Sequence, residues 1–148
     1  VKASGMDGML LGPQWDIEPQ SRDASQLMAL HQKKTGALLA ASVVMGGIAA
    51  EVSGETLMEL RSFALEMGLA FQIRDDILDI IGDESLGKPL HSDERNQKVT
   101  YASLFGPEGA QNEALRYRES CLKRLKQIAF IFPNALEELT LFVVDRKK

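Results

Sequence analysis

Hydrophobic residues recur at helical spacing along most of the chain, and no segment shows the strict alternation typical of a half-buried strand. Turn-forming residues divide this pattern into five amphipathic or apolar stretches. The pattern predicts helices over about residues 23–50, 55–81, 96–105, 107–132 and 134–146. We therefore expect an all-α fold in which residues 1–148 belong to one domain, with the helices packed around a shared interior.

The first predicted helix has a clear start and an irregular interior. Asp23 or Ser25 can cap its amino terminus, because both side chains accept hydrogen bonds from exposed backbone N–H groups. Gly36, Gly46 and Gly47 interrupt its pattern. A glycine inside a helix costs about 1 kcal/mol relative to alanine. We expect these positions to mark close backbone packing, a bend or a break.

Two further boundaries follow from glycine and proline. Gly82 is predicted to end the second helix, and residues 83–95 are predicted to form a polar loop. Pro107 opens a long amphipathic helix that Pro133 ends. The residues predicted on the inner side of this helix are Leu115, Leu122, Leu125, Ile128 and Ala129.

The second predicted helix carries a cluster of acidic residues within an apolar sequence. At about 100° per residue, Gln72, Asp75, Asp76 and Asp79 fall within roughly a 100° arc of the helix. The other directions carry apolar side chains with one polar exception, and they are Phe71, Ile73, Arg74, Ile77, Leu78, Ile80 and Ile81. These proportions predict a mostly buried helix whose clustered negative charge needs a cation to neutralise it.

The carboxylate spacing suits a hard metal ion. Asp75 and Asp79 are four residues apart, so their side chains are neighbours on the helix surface. Two or three oxygen ligands from one helix suit Mg²⁺, which keeps several waters and shares its coordination shell with substrate phosphates. The alternative is a solvated acidic strip or a set of surface ion pairs. The apolar surroundings and the aligned Gln72 favour the ligand site.

Lysines occur where they could hold an anion beside these carboxylates. Lys34 and Thr35 precede Gly36, which gives a charge, a donor and close access to the backbone. Lys88 follows a glycine-bounded loop, and Lys98 comes shortly after it. Three lysines and a metal held by aspartates would form a clamp for a diphosphate. The alternative for each lysine is an ordinary solvated side chain.

Composition excludes several classes of function. The 148 residues carry a net charge of −4, which argues against a nucleic-acid binder. Cys121 is the single cysteine, so no internal disulfide is possible and a reducing, cytoplasmic location is expected. No apolar run reaches the roughly 18 residues that would span a bilayer, so we expect no membrane insertion. His31 and His91 are isolated, and a structural role is favoured for His31.

The combination of these motifs resembles a known enzyme family, the trans-isoprenyl diphosphate synthases. Residues 71–79, followed by Gly82-Asp83 and Leu86-Gly87-Lys88, look like the family's second aspartate-rich region. Residues 30–38 resemble its Lys-Thr-Gly segment, and Asp93 with residues 98–101 resembles its Asp-x₄-Lys-x-Thr-Tyr segment. Residues 8–16 resemble its glycine-rich stretch. The form of these motifs is most similar to short-chain members of the farnesyl or geranylgeranyl diphosphate synthase type.

The resemblance implies an isoprenoid synthase helical bundle and a prenyltransferase reaction. In that family, Mg²⁺ helps an allylic diphosphate to ionise, and the double bond of isopentenyl diphosphate attacks the resulting cation. By resemblance, Asp75 and Asp79 would bind Mg²⁺ while Asp76 adds charge. The residues that would hold the allylic diphosphate are Lys34, Lys88 and Lys98, and those lining the reacting centre are Thr35 and Gln72. A homodimer is also implied for the full-length protein.

The sequence departs from the family pattern in two places. Pro13 stands where the family has glutamine, and His91 stands where it has glycine. The family's first aspartate-rich motif lies upstream of the matching region, so the chain resembles only the C-terminal half of a synthase. We therefore expect the chain alone to be inactive.

Alternatives from other classes remain at this point. The main one is a non-catalytic helical partner or regulatory subunit that retains a diphosphate site. A terpene cyclase of the same fold is a further possibility, although the lysine pattern fits chain elongation better. A di-iron carboxylate bundle is disfavoured because the sequence has no Glu-x-x-His pair.

Overall fold

A computed structural model describes residues 23–85, 99–128 and 134–146 of the chain. Every regular element within these ranges is a helix, which confirms the all-α prediction. The elements are α1 (Ala24–His31), a π-helical segment (Gln32–Gly36), α2 (Ala37–Ala49), α3 (Gly54–Ser85), α4 (Tyr101–Gln127) and α5 (Asn134–Asp145). None of the helices described is both long enough and apolar enough to cross a membrane. That residues 1–148 belong to one domain stays a prediction.

The amino terminus of α1 is capped as the sequence indicates. The Asp23 side chain accepts a hydrogen bond from the Gln26 backbone N–H at 2.9 Å. The Gln26 side chain in turn accepts one from the Asp23 N–H at 3.3 Å. This reciprocal capping box satisfies two backbone donors that a helix start leaves unpaired.

The first predicted helix is divided by a π-helical segment and not by a break. The Ala37 N–H donates to the Gln32 carbonyl, five residues back, and the helix then continues as α2 to Ala49. A π-turn holds an extra residue, so it shifts which side chains face the neighbouring helix. The segment contains Lys34, Thr35 and Gly36.

The prediction that Gly82 ends the acidic helix is wrong. The α3 backbone stays helical through Gly82 and ends at Ser85, so residues 83–85 of the predicted loop belong to the helix. Glycine weakens a helix by about 1 kcal/mol, but it ends one only where the chain adopts a non-helical conformation. The remainder of the predicted loop, residues 86–95, lies outside the described residues.

The two helices predicted over 96–105 and from Pro107 onwards are joined in α4. Residues 99 and 100 are not helical, and α4 begins at Tyr101, later than predicted. Thr100 caps this start, since its side chain accepts from the Ser103 N–H at 3.1 Å. The helix is kinked at Gly106, whose φ of 71° is a left-handed conformation, and Pro107 restarts it.

The inner side of α4 is built mainly from small residues, contrary to the sequence prediction. Its buried positions after the kink are Ala110, Ala114, Tyr117, Cys121 and Leu125. Of the five predicted inner residues, Leu125 is buried, whereas Leu115, Leu122 and Ile128 are only half-buried. Ala129 lies outside the described residues. Alanine and cysteine let α4 approach α3 closely, and a hydrophobicity pattern alone undervalues such residues.

Helix α3 lies at the centre of the described structure and contacts all the other elements. Leu69, Ala70, Ile73 and Ile77 pack in one core cluster with residues of α1, α4 and α5. Phe63, Ala64 and Met67 pack in a second cluster with α2 and the carboxyl half of α4. This arrangement fixes one face of α3 against its neighbours and leaves the acidic face toward a cavity.

Candidate functional site

A cavity of about 280 Å³ lies between the carboxyl half of α3, the α1 side of the fold and the start of α4. The residues lining it are Leu27, Leu30, His31, Lys34, Gln72, Asp75, Asp76, Asp79, Val99 and Thr100. The four polar residues that the helical period placed in one arc therefore line one cavity. Lys34, which is distant from them in sequence, is brought to the same cavity.

The acidic residues are less buried than the sequence predicts. Asp75 and Asp76 are half-buried and Asp79 is exposed, whereas Ile73 and Ile77 are fully buried. The apolar face of α3 packs against α4 and α1, so the acidic face is the one left toward the cavity. Partial access to water lowers the cost of holding three carboxylates close together.

Asp75 forms an ion pair with a residue near the end of the chain. Arg146 Nη2 donates to Asp75 Oδ1, although the two residues are 71 positions apart. The Arg146 guanidinium also lies over the Phe71 ring, 4.3 Å from its centroid. A cation–π contact of this kind adds to the ion pair and orients the arginine. Arg146 is thus a cationic partner of the first aspartate.

Asp76 connects α3 to the start of α4. Its Oδ2 accepts a hydrogen bond from the Tyr101 backbone N–H at 3.0 Å. The first N–H groups of a helix have no partner within the helix, and a carboxylate there also interacts favourably with the helix dipole. The contact holds Val99 and Thr100, which precede Tyr101, in the wall of the cavity.

The π-helical segment approaches α3 closely beside the cavity. A Cβ built on Gly68 would stand 2.9 Å from Gly36 Cα and 3.2 Å from Gly36 N. The prediction of close backbone packing is therefore confirmed at Gly36. Lys34 lines the cavity, whereas Thr35 is not among the lining residues of the described structure. The role of Thr35 at the reacting centre stays a prediction.

The other two glycines of the first predicted helix differ from each other. A Cβ on Gly47 would lie 2.8 Å from Leu57 Cδ2 and 2.9 Å from Leu60 Cδ1, so close packing is confirmed there as well. A Cβ on Gly46 would meet no atom within 4 Å. Of the three alternatives predicted for these glycines, close packing does not apply at Gly46.

His31 forms part of the cavity wall. It is buried, and its ring centroid lies 5.8 Å from that of Tyr101, which in turn lies 5.8 Å from Phe105. Burial raises the pKa of the Tyr101 hydroxyl, so this group stays protonated across the physiological range. The three rings thus pack in series along this wall, and the structural role of His31 stays a prediction.

Several predicted residues cannot be compared with the structure. Lys88, Lys98, His91 and Pro13 lie outside the described residues. Their roles remain those implied by the sequence resemblance.

The donor set is suited to a hard cation that takes further ligands from elsewhere. Asp75, Asp76, Asp79 and Gln72 offer only oxygen and amide donors at one cavity, which is the ligand chemistry of Mg²⁺. Within the described ranges, no three His, Cys, Asp or Glu side chains converge closely enough to hold a metal ion by themselves. Mg²⁺ commonly completes its shell with water and substrate phosphates, so the residues present fit this ion.

Sequence reasoning missed Arg146 as a residue near the site and treated Arg74 only as a polar exception. Arg74 Nε and Nη2 donate to the Arg146 carbonyl at 2.9 and 2.6 Å, and Arg74 Nη1 donates to Gln111 Oε1 at 2.9 Å. The available signals were a lone arginine in an apolar run and the basic run that follows α5. Neither signal identifies its partner.

An all-α fold with an acidic helix and a lysine-bearing segment on one cavity defines a helical protein suited to metal-assisted anion binding. Residues 3–136 match the family model for polyprenyl synthetase. The chain belongs to the polyprenyl synthetase family. The resemblance inferred from its motifs is therefore confirmed.

Individual relatives agree with this assignment. The farnesyl diphosphate synthase of Escherichia coli is 37% identical over 154 residues, covering 100% of this chain and 52% of that protein. The farnesyl diphosphate synthase of Geobacillus stearothermophilus is 40% identical over 129 residues, covering 85% of the chain and 43% of that protein. A solved structure of Helicobacter pylori geranyltransferase, complexed with magnesium and isoprenyl diphosphate, matches with a TM-score of 0.75 and 33% identity. That match covers 97% of this chain and 48% of the solved one. The chain thus spans about half the length of these relatives.

Proposed function

We propose that the protein to which this chain belongs is a prenyltransferase that condenses isopentenyl diphosphate with an allylic diphosphate, of the farnesyl or geranylgeranyl diphosphate synthase type. The observation that carries the proposal is the shared cavity, where Lys34 joins Gln72, Asp75, Asp76 and Asp79. Relatives named farnesyl diphosphate synthase and geranylgeranyl diphosphate synthase support the substrate class.

The roles of the cavity residues follow from their chemistry. Asp75 and Asp79 would hold Mg²⁺, with Asp76 contributing charge while its Oδ2 anchors α4. When bound, Mg²⁺ would neutralise the charge that develops on the departing diphosphate. Lys34 would bind and orient the phosphate groups from the opposite side of the cavity. Gln72 stands one turn before Asp75 and Asp76, where its amide can orient the reacting group.

The apolar part of the cavity has a separate role. Leu27, Leu30 and Val99 line it beside the carboxylates. An allylic cation reacts readily with water, so these side chains would exclude water from the carbon that loses the diphosphate. Thr35, Lys88 and Lys98 are proposed as further site residues on the sequence resemblance alone.

The remaining expectations concern the whole protein. Since the chain spans about half the length of its relatives, we propose that the 148 residues alone do not catalyse condensation. A homodimer of the full-length protein is likewise proposed from the resemblance. The cytoplasmic location and the absence of nucleic-acid partners stay predictions.

The test is a condensation assay of the native protein that contains this chain, with labelled isopentenyl diphosphate and geranyl diphosphate. We expect a longer prenyl diphosphate to form with MgCl₂, none after chelation, and at least a hundredfold less with Asp79→Asn. Tight diphosphate binding without any product in the native protein would favour the non-catalytic subunit. Condensation by the isolated 148 residues would overturn the expectation that they are inactive alone.

A further inference from the structure

The carboxyl end of α5 is attached to α3 beside the acidic cluster. Arg146 directly follows α5, and its Nη2 donates to Asp75 Oδ1. The Arg146 side chain is 18% exposed and that of Asp75 is 41% exposed, so the pair is partly shielded from water. The Phe71 ring under the guanidinium limits its position further. Asp75 thus has a cationic partner provided by the chain itself.

The backbone at this point is held by other contacts. The Arg146 carbonyl accepts two hydrogen bonds from Arg74, at 2.9 and 2.6 Å. The preceding Asp145 pairs with Arg118 of α4 at 2.8 Å. Hydrogen bonds from an arginine side chain to the last carbonyls of a helix fix its end. The Arg146 side chain can therefore leave Asp75 while the end of α5 stays in place.

The guanidinium is incompletely satisfied where it lies. Arg146 Nε is buried and has no hydrogen-bond partner among the described residues. An unsatisfied buried donor weakens the folded arrangement that contains it. Mg²⁺ has twice the charge of an arginine and binds carboxylate oxygens directly. Asp75 is consequently in a position to exchange one cation for the other.

We propose that Arg146 is the internal counter-cation of the metal site, which pairs with Asp75 in the absence of a divalent cation and yields Asp75 Oδ1 when the ion binds. The proposal rests on the proposed function, in which Asp75 is a ligand of Mg²⁺. It assigns to Arg146 a role in setting metal affinity. A competing cation at Asp75 lowers the affinity for Mg²⁺, whereas a merely orienting arginine would raise it.

The first test is a titration of the native protein that contains this chain with MgCl₂, followed by ¹H–¹⁵N TROSY NMR of the backbone amides. Arg146→Gln removes the competing charge, and we expect Mg²⁺ to bind roughly fivefold more tightly, as for a partly exposed ion pair. Arg116→Gln is the matched control. It removes the same charge from a pair with Glu113 on the outer side of α4, and we expect its Mg²⁺ affinity to stay within about twofold of wild type.

The second test follows the Arg146 side chain in the wild-type protein and uses variants only to assign its signal and to give a reference position. Arginine Nε–Hε groups give signals in the same spectra, and that of Arg146 is assigned by its loss in both Arg146→Gln and Arg146→Lys. In the wild-type chain we expect saturation with MgCl₂ to shift this signal to its position in Asp75→Asn. If the salt bridge were purely structural, the Arg146 Nε–Hε signal would not shift when MgCl₂ is added.

The outcomes separate this inference from the proposed function. The counter-cation role would be overturned if Arg146→Gln bound Mg²⁺ no more tightly than wild type. It would also be overturned if the Arg146 Nε–Hε signal did not shift when MgCl₂ is added. In that case, if Asp75→Asn and Asp79→Asn lost Mg²⁺ binding, the proposed metal site would still be supported. Wild-type Mg²⁺ affinity in both aspartate variants would instead contradict the metal site and the inference built on it.

Discussion

The Asp76 carboxylate accepts a hydrogen bond from the Tyr101 backbone N–H at 3.0 Å, which joins the acidic part of α3 to the first turn of α4. The two residues are 25 positions apart, and the intervening chain includes Lys88 and Lys98. One aspartate of the cluster therefore has a structural task that the sequence pattern does not reveal. This contact attaches the first residue of α4, which follows Lys88 and Lys98 in the sequence, to α3.

Removing the Asp76 acceptor should destabilise the start of α4. Asp76→Ala leaves the Tyr101 N–H without its partner, and we expect a loss of about 1–2 kcal/mol in the free energy of unfolding. Urea denaturation measures this loss. Hydrogen exchange at the amides of Tyr101 and its neighbours should accelerate in the same variant.

Asp76→Asn is the matched control for that experiment. An asparagine keeps a side-chain oxygen that can accept from Tyr101 but lacks the negative charge. We expect it to lose less than half the stability lost by Asp76→Ala. If both variants lost the same free energy of unfolding, the negative charge of Asp76, and not its hydrogen-bond acceptor, would be what stabilises the start of α4.

Replacing Lys34 should weaken the binding of a diphosphate. Lys34→Gln removes a positive charge from the cavity, and we expect roughly a five- to tenfold weaker affinity for inorganic pyrophosphate in the presence of MgCl₂. Isothermal titration calorimetry measures this affinity. Lys33→Gln is the control, because Lys33 belongs to the same π-helical segment but does not line the cavity. A similar loss in both variants would point to general electrostatics and not to Lys34.

The close approach of Gly36 and Gly68 should tolerate no side chain. Gly68→Ala would place a Cβ 2.9 Å from Gly36 Cα, and this backbone atom cannot give way as the end of a flexible side chain could. We expect about 2 kcal/mol of destabilisation in urea denaturation. Gly46→Ala is the control, since its new Cβ would meet no atom within 4 Å and the higher helix propensity should add about 0.5–1 kcal/mol. Equal effects at the two glycines would contradict the proposed steric cause.

Alkaline pH should destabilise the protein through Cys121. Burial raises the pKa of its thiol from 9.0 to about 12, so the folded state resists an ionisation that the unfolded state undergoes. The neutral thiol makes its full contribution to the free energy of unfolding below pH 9, and this contribution is lost as the pH rises toward 12. We expect the thiol to contribute roughly 1–2 kcal/mol less stability at pH 10 than at pH 7.

Cys121→Ala provides the control for this pH dependence. The variant loses packing at every pH but has no thiol to ionise, so its stability should fall less between pH 7 and pH 10. Tyr101 and Tyr117, whose pKa values are also raised by burial, should add a similar loss to both proteins. Urea denaturation at the two pH values measures the difference. Parallel losses in wild type and variant would show that Cys121 does not contribute.

Local features were predictable where the determining residues lie within a few positions of one another. The Asp23 capping box needs only residues 23–26, and the arc of Gln72, Asp75, Asp76 and Asp79 needs only the helical period. Features that depend on neighbours were predicted less well. Helix α3 passes through Gly82, which is a weak helix former but not an obligatory helix end. Helix α4 presents small residues to α3, and a hydrophobicity pattern undervalues such residues.

The sequence by itself determined the all-α class, the family motifs and the grouping of carboxylates on one helix face, since each follows from local periodicity or residue order. Only the tertiary structure decided which cations and backbone groups meet those carboxylates. Lys34 reaches the same cavity through the close approach of Gly36 to Gly68. Arg146 reaches Asp75 across 71 positions, and Tyr101 reaches Asp76 across 25. Such pairings depend on how helices pack, and the packing is fixed by steric fit over the whole interface, which no single segment encodes.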